Sequence, residues 1–218
     1  MWQAELDLGQ AELSVLRAHL SADETKRAER HRYERDRSRY AAARGWLRYL
    51  LAGYIGSDPR ALVFVKDEHG KPRLGGRTDT QLSFNVSHSD GIALYAVACG
   101  RDVGVDIERM RGDVPLGVVR RYFSETEQES LTALPASLQL RAFMECWTRK
   151  EAYLKAVGIG LSGMSSSDAG RAGWSLHGVE VGPDYVAAVA VAGEAGVPRV
   201  AQSLNMNHRA GAGQPLHD

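Results

Sequence analysis

Residues 146–160 read CWTRKEAYLKAVGIG, and residues 45–56 read GWLRYLLAGYIG. Each is a helical pattern with a tryptophan near its start and glycines at its end. Each is followed by a segment that closes on an Ala/Val-rich strand, GIALYAVACG at 91–100 and DYVAAVAVAG at 184–193. This ordered recurrence predicts an α+β fold made of two pseudo-symmetric half-domains with a cleft between them. The boundaries fall at 1–102 and 103–202, and the polar, Gly-rich residues 203–218 read as a loose tail.

Within the later copy, Trp147, Glu151 and Lys155 stand four residues apart and share one stripe of a helix. A carboxylate between a ring and an ammonium suits a site. It equally suits a solvated Glu–Lys pair, worth only about 0.2–0.5 kcal/mol.

Working outward, residues 10–20 have helical spacing, and Ser21 with Glu24 forms a capping-box pattern that opens a second helix. From Lys26 to Arg48 that helix is far richer in arginine than in acids. Gly53 and Gly56 are its candidate stops. ALVFV (61–65) reads as a strand and DEHGKPRL (67–74) as a turn. LSFNVSHS (82–89) and IALYAVA (92–98) form a hairpin across Asp90-Gly91, and VGVDIE (103–108) is a third strand. An Arg-rich loop leads to a second capping box at Ser124 and Glu127. A helix over 138–157 ends at Gly158 and Gly160, and two strands complete the chain.

The 218 residues carry 27 Lys+Arg against 27 Asp+Glu, so no global field favours nucleic acid or an anionic membrane. No apolar run is long enough to span a bilayer, and MWQAELDLGQ has neither a basic nor an apolar leader region, which predicts a cytoplasmic protein. Cys99 and Cys146 lack any metal or disulfide spacing and read as core residues.

Three constellations carry chemistry. Asp106 and Glu108 are two apart in a strand, so they share a face about 6.6–7 Å apart while Val105 and Ile107 point to the core. Either both are solvated, or a hard cation such as Mg²⁺ neutralises them. Ser87 and His88 face opposite sides of their strand and cannot pair as nucleophile and base. One of them could face the cleft, or His88 could be a core histidine bonded to backbone. Lys71 and Arg73 project from the GKPR turn, as ligands or as a solvated basic loop. The Arg-rich helix admits RNA or a small polyphosphate; the neutral whole fits the polyphosphate better.

These blocks together resemble the 4′-phosphopantetheinyl transferases of the Sfp-like type. Gly104-Val105-Asp106 with Ile107-Glu108 matches the family's G-[IV]-D strand. Trp147-Thr148-Arg149-Lys150-Glu151-Ala152-Tyr153-Leu154-Lys155 matches [FW]-[SCT]-x-K-E-[AS]-x-x-K. Asn85-Val86-Ser87-His88 and Gly70-Lys71-Pro72 match N-[IV]-S-H and G-K-P. The resemblance spans about residues 24–190. It implies a two-fold pseudo-symmetric fold and the transfer of 4′-phosphopantetheine from coenzyme A to a serine of an apo acyl or peptidyl carrier protein, releasing 3′,5′-ADP. It implies Mg²⁺, with Mn²⁺ as a substitute, held by Asp106, Glu108 and Glu151, and Glu151 as the base, directly or through water. By the same resemblance Lys155 stabilises phosphate charge with Lys150 nearby, and Ser87 and His88 contact the pyrophosphate. Lys71 meets the nucleotide, and Arg27 and Arg39, with Arg30 and Arg32 as substitutes, meet the 3′-phosphate. Residues 109–123 are the expected carrier surface, and a monomer is expected, with no nucleic-acid or membrane partner. The rival readings are a non-catalytic coenzyme A or nucleotide-binding module and an RNA-binding protein.

Overall fold

In the computed structural model, residues 1–76, 81–160, 172–196, 203 and 204 are described; most of the tail read at 203–218 lies outside them. Strand β1 (Trp2–Glu5) is followed by α1 (Gln10–Arg17), α2 (Ala22–Glu29) and the long α3 (Glu34–Ile55). A short ribbon, β2 (Phe64–Lys66) and β3 (Pro72–Leu74), precedes the hairpin β4 (Leu82–Ser89) and β5 (Ile92–Cys99). The second half runs β6 (Val103–Arg109), α4 (Leu116–Tyr122), α5 (Glu125–Thr132), α6 (Ala136–Val157), β7 (Trp174–Val179) and β8 (Tyr185–Ala192).

The two halves repeat one topology. In the first sheet the order is β1-β5-β4 and in the second β6-β8-β7, so each half places its last strand between its first strand and its hairpin partner. All of these neighbours pair antiparallel. The long helices α3 and α6 each end on a glycine in the left-handed region, Gly56 at φ 65° and Gly158 at φ 87°, where a side chain would strain the backbone. Both predicted capping boxes form, Ser21 with Glu24 and Ser124 with Glu127.

Several expectations are corrected. The helix read from Lys26 to Arg48 is two, broken at residues 30–33, with Tyr33 extended at φ −104°, ψ 141°. The break has a cause: Glu24 accepts from Arg44 and, at 2.5 Å, from Arg48 Nε. On one straight helix residues 24 and 48 would be about 36 Å apart, so α2 must fold back. Strand β1, the short helix α4 within the predicted Arg-rich loop, and β3 within the predicted turn are further additions. Cys99 is exposed at the end of β5, not in the core, and Cys146 is half-buried, with its thiol donating to Glu127 Oε1 at 3.3 Å.

The core of the first half gathers Trp46, Leu47, Leu50 and Leu51 of α3 against Phe84 and Tyr95 of the sheet. In the second half, Val105 and Ile107 of β6 are fully buried with Val189 of β8, as the strand pattern predicted. Helix α6 lies directly on β6. A Cβ at Gly104 would sit 2.8 Å from Ala156 Cα and closer still to Ala152 O and Ala156 N, so glycine is the residue that lets helix and strand touch.

Candidate active site

The site grows from the seam where the halves meet. Strands β4 and β6 run side by side there, joined by side chains. Asn85 Oδ1 accepts from Val105 N at 2.9 Å and Ser89 Oγ accepts from Arg109 N at 3.0 Å. The odd residues of β4 therefore face β6, while Phe84 and Val86 pack into the first core. Ser87 Oγ donates to Asp106 Oδ1 at 2.9 Å, and Ser89 Oγ donates to Glu108 Oε2 at 3.0 Å. Because α6 rests on β6 at Gly104, its stripe of Glu151 and Lys155 is brought to the same place. Lys155 Nζ donates to Asp106 Oδ1 at 2.7 Å and to Ser87 Oγ at 2.9 Å.

The electrostatics favour an incoming cation. Asp106 is only 3% exposed, and its Oδ2 has no hydrogen-bond partner among the described residues. This rules out the solvated-strand-end reading for that acid. Burial, and then the neighbouring Asp106 charge, push the carboxyls of Glu108 and Glu151 above the usual glutamate range. Among the described residues no three His, Cys, Asp or Glu side chains are grouped so as to hold a metal ion by themselves. An open arrangement suits Mg²⁺, which keeps waters and phosphate oxygens alongside one or two carboxylates. The orphaned oxygen and the mutually repelling acids fit such an ion.

The other expected residues are placed unequally. His88 keeps substantial exposure, so it is not a core histidine. Partial desolvation, and then the nearby charges of Lys155 and Arg39, hold its imidazole below the usual histidine range. Arg39 is tied to Asp7 through Nε and Nη2 at 2.7 and 2.6 Å, and lies 4.0 Å from Asp90. Arg27 is exposed on α2. Lys71 is 4% exposed; its ammonium donates to Ala156 O at 2.6 Å and Asp102 Oδ1 at 3.3 Å, and burial lowers its proton affinity. Lys150 is not brought to the acids: it pairs with Glu127 Oε2 at 2.8 Å and lies over the Phe123 ring. Trp147 anchors α6 by stacking on Phe143 and tilting onto Tyr122. Ser89 and Asp102 were not foreseen, although the alternation Asn85-x-Ser87-x-Ser89 opposite the alternating acids of β6 was a readable signal.

Acids in want of a cation, with a lysine at the same seam, suit the handling of a phosphate ester or anhydride, where catalysis consists mainly of positioning and charge neutralisation. Comparison with known proteins narrows that class to one family. Residues 102–187 match the model of the 4′-phosphopantetheinyl transferase superfamily, and residues 4–100 match that of the 4′-phosphopantetheinyl transferase N-terminal region. The chain is 39% identical over 208 residues to the 4′-phosphopantetheinyl transferase HetI of a Nostoc species, covering 88% of this chain and 87% of that one. It is 31% identical to a 4′-phosphopantetheinyl transferase of Bacillus subtilis, covering 71% and 67%, and 28% identical to Sfp of the same species over the same shares. The chain belongs to the 4′-phosphopantetheinyl transferases. Its activity is the transfer of 4′-phosphopantetheine from coenzyme A to a carrier protein.

Proposed function

We propose that this transfer takes place at the β4–β6 seam and depends on Mg²⁺ held by Asp106, Glu108 and Glu151. The observation that carries the reading is the buried Asp106 with one oxygen bonded to Ser87 and Lys155 and the other without a hydrogen-bond partner among the described residues. The ion, when bound, supplies positive charge across the pyrophosphate of coenzyme A. Glu151 accepts the proton of the carrier serine, directly or through water, and its place on α6 within electrostatic reach of Asp106, Glu108 and Lys155 supports that role. The serine oxygen attacks the β-phosphorus and 3′,5′-ADP leaves.

Lys155 steadies charge on the phosphates, and its place beside Ser87 supports the assignment. His88, held neutral near pH 7, donates a hydrogen bond to the pyrophosphate, while Ser87, whose proton goes to Asp106, orients Asp106 and Lys155 beside it. The turn at Lys71 meets the nucleotide through its backbone, with the ammonium anchoring it. Arg27 and Arg39 meet the 3′-phosphate, Arg39 sharing its guanidinium with Asp7. Lys150 supports the site by holding α5 to α6.

The carrier protein docks on residues 109–123. There Leu116 is 58% exposed, and Arg111, Arg120 and Arg121 are exposed around it, a basic and apolar patch that suits an acidic helix. The protein works as a cytoplasmic monomer of two half-domains, 1–102 and 103–202, serving carrier domains of peptide or polyketide synthesis. No described helix is long and apolar enough to cross a membrane. The arginines of α3 are largely engaged by Asp7, Glu24 and Glu34, which disfavours an RNA face.

Mass spectrometry of an apo carrier protein incubated with the protein, coenzyme A and Mg²⁺ tests the reading. The expected product carries one added phosphopantetheine, and it disappears with EDTA or with Glu151→Ala. Unchanged transfer in EDTA would remove the metal from the mechanism; unchanged transfer by Glu151→Ala would remove that residue.

A further inference from the structure

We propose that Ser89 is a positioning residue for the metal site: its hydroxyl fixes which oxygen of Glu108 faces the seam and which is left for the cation. The proposal rests on the reading of Glu108 as a metal ligand.

A serine hydroxyl has one proton to donate and two lone pairs to accept with. Arg109 N–H donates to Ser89 Oγ at 3.0 Å, which occupies a lone pair and leaves the proton for Glu108 Oε2 at 3.0 Å. The hydroxyl is 8% exposed at the residue level, so water competes poorly for it. The backbone of β6 thus sets the direction of Ser89, and Ser89 sets the direction of Glu108.

The same device operates one pleat earlier. Ser87 Oγ accepts from Lys155 Nζ and donates to Asp106 Oδ1, while Asp106 Oδ2 remains without a partner. Each acid of the Asp106–Glu108 pair then has one oxygen held by a serine of β4. The register makes this systematic, since the backbone-to-side-chain bonds at Asn85–Val105 and Ser89–Arg109 keep the same offset along the two strands. The serines differ in their other contacts. Ser87 also touches Lys155, whereas the side-chain bonds of Ser89 run to Glu108 and the Arg109 backbone, so removal of the Ser89 hydroxyl leaves the contacts of Lys155 in place. A carboxylate freed to rotate must be re-ordered on binding a cation, and loss of such outer partners typically weakens metal affinity 10–100-fold.

The test is Mn²⁺ binding in the absence of coenzyme A, measured by the electron paramagnetic resonance signal of free Mn²⁺. Wild type, Ser89→Ala, Ser89→Thr and Glu108→Gln are compared, each with its folding checked by thermal unfolding. Ser89→Ala is expected to weaken Mn²⁺ binding about tenfold and to raise the Mg²⁺ needed for half-maximal transfer. Ser89→Thr, which keeps the hydroxyl, is expected to restore both. Unchanged Mn²⁺ affinity in folded Ser89→Ala, with Glu108→Gln impaired, would overturn the positioning role and leave the metal reading intact. Unchanged affinity in folded Glu108→Gln would overturn Glu108 as a ligand, and this inference with it. If Ser89→Ala does not fold, Ser89→Cys, with a weaker donor on a similar shape, takes its place, and wild-type affinity there overturns the proposal.

Discussion

Glu108 and Glu151 are half-buried near another carboxylate, and each is held above the usual glutamate range. A folded-state proton affinity above the unfolded one means that folding favours the protonated form. The associated stability is complete below the ordinary glutamate value and is lost as pH rises through the elevated one. At neutral pH, without metal, both acids therefore work against the fold. Glu151→Gln should raise the Tm of metal-free protein at pH 7, by a modest amount because half-exposed charges are screened. The gain should vanish as pH falls below the ordinary glutamate value, and transfer should be lost throughout. Thermal melts across that range in EDTA check this; a variant less stable than wild type at pH 7 would refute the repulsion. The acids are singled out in the sequence by the ordered set of motifs, since the spacing of Asp106 with Glu108, or of Glu151 with Lys155, by itself fits solvated pairs equally well. Ser89 is not, since a serine in a strand gives no sign of its partner until the opposite strand is known.

At the scale of elements, α6 is held from two sides. Gly104 lets it sit on β6, and the Lys71 ammonium caps its last carbonyls at Ala156, one residue beyond Lys155. The Gly-Lys-Pro turn is thereby latched to the helix that carries Glu151 and Lys155. A charge-assisted bond of this kind is worth about 1.5–3 kcal/mol, so Lys71→Met should lower Tm by several degrees and raise the KM for coenzyme A. A fall in coenzyme A affinity with Tm unchanged would instead make the ammonium a direct ligand contact. The sequence announced elements whose stops and starts are local, such as both capping boxes, the terminal glycines of α3 and α6, and the Asp90-Gly91 hairpin, where Asp90 adopts φ 49°. It did not announce β1 or the break between α2 and α3. Those are decided by distant partners, β5 for the strand and the Glu24 pairing with Arg44 and Arg48 for the break.

At the scale of the molecule, the repeated topology means that neither half contains the site alone. Ser87 and His88 come from the first sheet, and Asp106, Glu108 and Glu151 come from the second half. With the proposed site at the seam, transfer depends on how firmly the halves are joined, and the seam is not the only tie. Beyond β8 the chain returns to the first half: Ser203 bridges Gln3 in parallel, Leu204 N donates to Gln3 O at 2.7 Å, and the Leu204 side chain is 6% exposed in the first core. Leu204→Ala should cost about 2–3 kcal/mol, similar to the cost of Leu47→Ala inside that core. The two should differ in character. Leu47→Ala should shift the urea midpoint at constant slope, because it weakens one half without loosening its tie to the other. Leu204→Ala should also lower the apparent slope, as the halves begin to unfold separately and two-state behaviour is lost. Equal slopes for the two variants would mean that the seam, with the Lys71–Ala156 bond, couples the halves without Leu204, which then contributes burial without contributing cooperativity.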